Sequence, residues 1–88
     1  PSQELVRIHY GSGTAGSADR NVRVELFDFG MNRVRTLVNG ARRSAAMEFD
    51  EYWDGRDDQG RQVANGVYIY RIDIDGEQPR YGKILVLQ

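Results

Sequence analysis

Eighty-eight residues without a cysteine leave room for one domain with one modest core, because a chain of this size buries only about 60–65 % of its extended surface on folding. No disulfide or cysteine-ligated metal reinforces that core, so packing and backbone pairing must hold it. Twelve Lys and Arg against thirteen Asp and Glu give a formal charge of −1, which offers no global reason to expect a nucleic-acid partner, and no apolar run approaches the roughly 20 residues of a membrane-spanning helix.

A first strand is predicted over residues 3–10, where Val6, Ile8 and Tyr10 alternate on one face. His9 falls on the opposite, wetter face beside Arg7; with no second His and no Cys it is a poor nucleus for a transition metal. Residues 11–21, small and polar, read as a connecting loop. Its three glycines lack the terminal Lys-Ser/Thr and the following helix of a phosphate-binding loop.

The next strand covers 22–28, with Val22, Val24 and Leu26 on one face. Phe27 and Phe29 depart from simple alternation, so either both faces are covered there or a turn or bulge redirects them. Asp28-Phe29-Gly30-Met31-Asn32 supplies turn chemistry and leads into a strand over 33–38, making a hairpin. Asn39-Gly40 is expected to end that strand. Residues 41–46 then read as a connection, or as a short helical turn, into a strand over 47–53 that places Met47, Phe49 and Trp53 on one face, with Glu51 interrupting it and implying partial burial. Arg42 and Arg43 read as a solvated pair.

Residues 52–72 carry the densest signal: an aromatic anchor, a run of turn residues, then the most regular strand of the chain. Gly55, Gly60 and Gly66 are expected at positions of positive φ. Asp54 and Asp57 are expected to accept backbone hydrogen bonds in the turns while Asp58 faces water. These carboxylates lack the EF-hand spacing and its closing Glu, so no metal site is assigned. After Gly66 the period becomes two: Tyr68, Tyr70, Ile72 and Ile74 point to the core, and Val67, Ile69, Arg71 and Asp73 away from it. Trp53, Tyr68 and Tyr70 are structural aromatics on this reading. Asp75-Gly76 turns the chain, Pro79 suits a strand beginning, and the last strand runs over 80–87.

Five or six short strands in one domain of residues 1–88 predict an all-β fold, a small antiparallel sandwich. Catalysis finds no support: Ser2, Ser12, Ser17 and Ser44 lack a nucleophile elbow, His9 lacks a triad pattern, and Asp73 and Asp75 sit at a strand end without a positioning group. No catalytic residue and no cofactor is assigned.

The segments Val22-x-Val24-x-Leu26-Phe27-Asp28, Arg33-Val34-Arg35-Thr36-Leu37-Val38, Trp53-Asp54-Gly55-Arg56-Asp57-Asp58-x-Gly60-Arg61-x-Val63-Ala64-x-Gly66-Val67-Tyr68-x-Tyr70-Arg71 and Lys83-Ile84-Leu85-Val86-Leu87 closely resemble an immunoglobulin-like family. That family includes a domain of the flagellar hook-capping protein and the C-terminal sorting domains of type IX secretion cargo. The resemblance covers roughly residues 5–88, and its Trp-Asp-Gly to Gly-Val-Tyr section is the most specific part. The family's usual turn, Tyr-Asp-Leu-x-Gly-Arg, departs here to Phe27-Asp28-Phe29-Gly30-Met31-Asn32-Arg33, with the glycine nearer the preceding strand; the loop over 11–21 is longer than usual, and the Pro-Asn-Pro-Phe-like lead-in is missing.

The resemblance implies an immunoglobulin-like or fibronectin-type-III-like β-sandwich, non-catalytic and excised from a larger bacterial protein, an origin that also explains a start at Pro1 without Met. It implies a secreted or cell-surface location. In the sorting reading the type IX export machinery is the partner, Lys83, Ile84, Leu85, Val86 and Leu87 form the terminal strand that contributes to recognition, and Trp53, Asp54, Gly55, Asp57, Gly60, Gly66, Tyr68 and Tyr70 maintain the displayed shape. The alternative is a structural or adhesive assembly domain like that of the hook-capping protein.

Overall fold

The computed structural model describes residues 6–11, 19–44 and 48–87; the predictions made for residues 3–5, for 12–18 within the first loop, and for Ala45, Ala46 and Met47 lie outside them. Among the described residues six strands follow one another: β1 (Val6–Gly11), β2 (Arg20–Asp28), β3 (Arg33–Arg43), β4 (Glu48–Trp53), β5 (Gly66–Ile74) and β6 (Arg80–Val86). β1 pairs with β4 in a two-stranded sheet, and the order β3-β2-β5-β6 makes a four-stranded one. Every pairing is antiparallel. Their inward faces meet in one core, giving the expected all-β sandwich of immunoglobulin-like or fibronectin-type-III-like type.

Alternation puts the right residues inside. Ile8 and Tyr10 of β1, Val22, Val24 and Leu26 of β2, Tyr68, Ile72 and Ile74 of β5, and Ile84 and Val86 of β6 are all buried, joined by Val38 and Trp53. A fully buried aliphatic side chain contributes about 1.5–3 kcal/mol of transfer free energy. Trp53 meets Tyr68 edge-on at 5.5 Å between ring centroids, a contact that crosses from one sheet to the other. Tyr70, also expected inside, is half-buried against the core.

Several expectations at the strand ends are corrected. Asn39-Gly40 does not end β3, which continues to Arg43, so Ala41, Arg42 and Arg43 are strand and neither a connection nor a helical turn. Gly11, Arg20 and Asn21, expected in the loop, are strand as well, whereas Leu87 lies beyond β6. The reason for the first correction lies in the β2–β3 register, which shifts at Val22/Arg23, Val24/Glu25 and Leu26/Phe27. Each shift leaves one extra residue on β3: Gly40, at φ 74°, then Leu37, then Val34. Bulges of this kind bend the strand and break strict alternation, which is how Val34, Leu37 and Ala41 all come to pack on the core. The shift at Phe27 and the turn beyond it also settle the Phe27/Phe29 question: Phe29 sits in the turn, 70 % exposed.

Candidate functional site

The loop from Asp54 to Val63 is built on hydrogen bonds to its own carboxylates. Asp54 accepts the Arg56 N–H at 3.1 Å and is approached by the Arg35 guanidinium at 3.4 Å. Asp57 closes a five-residue turn: its Oδ1 accepts the N–H groups of Gln59 (3.0 Å) and Arg61 (2.9 Å), its carbonyl accepts the Gly60 N–H, and its own N–H donates to the Arg61 carbonyl. The Trp53 indole N–H donates to the Arg56 carbonyl at 2.9 Å, so the buried ring is also the loop's tether. Gly55, Gly60 and Gly66 all take positive φ, at 77°, 83° and 152°.

Asp58 is exposed, as expected, but does more than face water. Its Oδ1 accepts the Thr36 N–H at 3.0 Å, and its N–H donates to the Val34 carbonyl at 3.0 Å. The loop therefore lies along the open edge of β3 and satisfies backbone groups there. At the far end, the Tyr68 hydroxyl donates back to the Ala64 carbonyl at 2.7 Å, the geometry of a tyrosine corner at the entry to a sandwich strand. Burial pushes the Tyr68 hydroxyl pKa up. Asp54 and Asp57 are thus the backbone acceptors expected of them, and Asp58 is a third. Trp53, Asp54, Gly55, Asp57, Gly60, Gly66 and Tyr68 lie together at this corner, while Tyr70 stands one turn of the pleat further along β5.

Sequence reasoning missed two charged clusters. On the outer face of β1 and β4, the His9 ring lies between carboxylates, with Nδ1 2.7 Å from Asp50 and Nε2 bonded to Glu48; Arg7 also reaches Asp50 at 3.7 Å. The hydrogen bonds to Asp50 and then Glu48 raise the His9 pKa. The two carboxylates engage opposite nitrogens and share no common vertex, and among the described residues no group of three or more His, Asp or Glu side chains could hold a metal ion.

The second cluster bridges the sheets. Glu51, on the inner face of β4, accepts the Tyr10 hydroxyl at 2.6 Å and the Arg43 guanidinium at 3.0 Å, and Arg43 also lies over the Phe49 ring. Arg43 is therefore an internal partner and not half of a solvated pair. Burial, and then the bond to Glu51, push the Tyr10 pKa up to about 12. The only signal in the sequence was Glu51 itself, an acid on an otherwise apolar face.

The outer face of the four-stranded sheet holds an open polar depression of about 510 Å³ lined by Arg23, Glu25, Gly40, Arg71 and Asp73 among others. Its charges are mixed, and Arg71 is already bonded to Asp73 at 3.0 Å. In the terminal strand, Ile84 and Val86 point inward and are buried, whereas Lys83 and Leu85, and Leu87 just beyond the strand, are exposed. A partner approaching this strand meets those three side chains and the strand's outer backbone edge.

In comparisons with known proteins, residues 8–77 match the model of the FlgD Ig-like domain. No curated protein and no solved structure matches the chain.

Proposed function

The chain belongs to the FlgD Ig-like domain family, and from that membership we propose that it is a structural module of a larger secreted or cell-surface bacterial protein, supporting assembly with other proteins. It is non-catalytic. The observation that carries this reading is the use of the chain's polar groups: the acids of the Asp54–Val63 loop accept backbone N–H groups, and Glu51 ties the sheets together. Those groups are spent on holding a shape, and a rigid sandwich of this kind acts by displaying loops and strand edges.

Export by the type IX machinery is the second reading. It is favoured by the exposure of Lys83 and Leu85 on the last strand and of Leu87 just after it, the segment that the resemblance to sorting domains implies for recognition. One experiment separates the two: residues 1–88 are deleted from the parent protein, and export and assembly are scored independently. Assembly lost with export intact supports the structural reading. Retention of the parent inside the cell, in a strain whose type IX machinery is otherwise working, supports sorting. A parent that is both exported and assembled without the domain overturns both.

A further inference from the structure

The two edges of the four-stranded sheet are treated differently. β3 is broken by three register shifts and has the Asp54–Val63 loop bonded along it at Val34 and Thr36, devices that blunt a strand edge against pairing. β6 has neither. Its pairing with β5 runs without a shift from Gly66↔Val86 to Ile72↔Arg80, it contains no proline, and among the described residues no strand pairs with its other side.

The side chains along that edge have a pattern. Tyr81, Lys83 and Leu85 share the outer face, Tyr81 and Leu85 being 57 % and 62 % exposed. Arg80, at the strand's start, is taken up by the Gly11 carbonyl and by Glu77, so among the described residues Lys83 is the cation left at the strand's centre. We propose that the β6 edge is a docking site for an extended segment of another protein, added as a further strand with an acidic residue beside Lys83 and apolar residues beside Tyr81 and Leu85. The unpaired backbone supplies affinity and the alternating side chains supply selectivity. A second copy of this chain is the poorer occupant, because antiparallel self-pairing centred on Lys83 sets two like charges opposite each other. The inference deepens the assembly reading and rests on it.

The probe is the acetylated and amidated peptide Thr-Val-Thr-Glu-Thr-Val-Thr, whose palindromic order presents Val, Glu and Val in either strand direction. It is titrated into the 88-residue chain while backbone amides are followed by NMR. The expected result is saturable shifts along Arg80–Val86 at about millimolar peptide, with binding about fivefold weaker when the central Glu is Lys, and with that preference reversed in Lys83→Glu. Shifts centred on β1 or β4, equal response to both peptides, or silence along β6 overturns the proposal. So do β6 shifts that track the chain's own concentration without peptide, which would mark self-pairing. If Lys83→Glu leaves the parent's assembly intact where deletion of the domain abolishes it, the docking edge is wrong and the assembly reading survives.

Discussion

Met31 and Gly60 occupy the same place in two copies of one turn. In residues 28–32, as in 57–61, an Asp opens the turn, its carbonyl accepts the N–H three residues on, its N–H bonds the carbonyl four residues on, and its carboxylate accepts that same residue's N–H. The fourth residue must then take positive φ: Gly60 does so at 83°, Met31 at 65°. A side chain in that region costs roughly 1–2 kcal/mol, partly offset by glycine's larger unfolded-state entropy. Met31→Gly, which restores the family's usual placement, is therefore expected to stabilise the domain by about 0.5–1 kcal/mol, and Gly60→Ala to destabilise it by about 1 kcal/mol, both read by denaturant midpoint at constant slope. His9 carries a pH signature at the same scale. Its folded pKa is raised by Asp50 and Glu48, so its contribution is fully present below the unfolded value near 6.5 and fades as pH rises through the folded value. NMR titration of the ring should give a midpoint above 6.5, falling towards it in Asp50→Asn; a midpoint at or below 6.5 in the parent chain contradicts the carboxylate sandwich.

At the scale of elements, the β5–β6 pair depends on a glycine that has no role in a turn. Gly82 faces Tyr70 across the ladder, and a Cβ built on it would lie 2.1 Å from the Tyr70 ring. The ring lies over the bare backbone, filling the space that a side chain on Gly82 would take. Gly82→Ala is expected to cost about 1–3 kcal/mol through overpacking. Shortening the ring in a Gly82→Ala, Tyr70→Val double variant should recover part of that loss, a coupling that a double-mutant cycle measures directly. The other edge offers a matching test, since Asp58 joins its loop to β3 through the Thr36 N–H. Asp58→Ala should cost about 1–2 kcal/mol and speed hydrogen exchange at Thr36, while Asp58→Asn, which keeps an acceptor oxygen, should do less of both.

At the scale of the molecule, the sheets are joined by apolar contact, by the Arg80 bond to the Gly11 carbonyl and by a polar group of three. Tyr10, Glu51 and Arg43 come from β1, β4 and β3 and meet across the sandwich. Since the folded Tyr10 pKa is pushed up to about 12, the neutral phenol is favoured in the native state. Stability from this group is present below the unfolded value near 10 and is lost as pH rises through about 12. Alkaline unfolding monitored by circular dichroism should therefore shift to higher pH in Tyr10→Phe relative to overall stability, and an unchanged alkaline limb would separate Tyr10 from the transition.

Strand type and face were written in the chain wherever a strand is regular. Val22, Val24 and Leu26, or Tyr68, Ile72 and Ile74, alternate because a pleat alternates, and their burial needed no knowledge of neighbours. The turn acids were legible for a similar reason, since Asp54 and Asp57 bond groups within a few residues of themselves. Three things were settled only by tertiary structure. β3 spaces its core contacts at Val34, Leu37, Val38 and Ala41, an irregular period that makes sense only once β2 imposes its bulges. Asp58, Arg43 and His9 find partners 22, 8 and 39–41 residues away, and no local pattern encodes a contact at that separation. Which edge of the sheet is covered and which is left open likewise depends on where a loop folds back, because a strand's own sequence specifies its faces and its neighbours specify its edges.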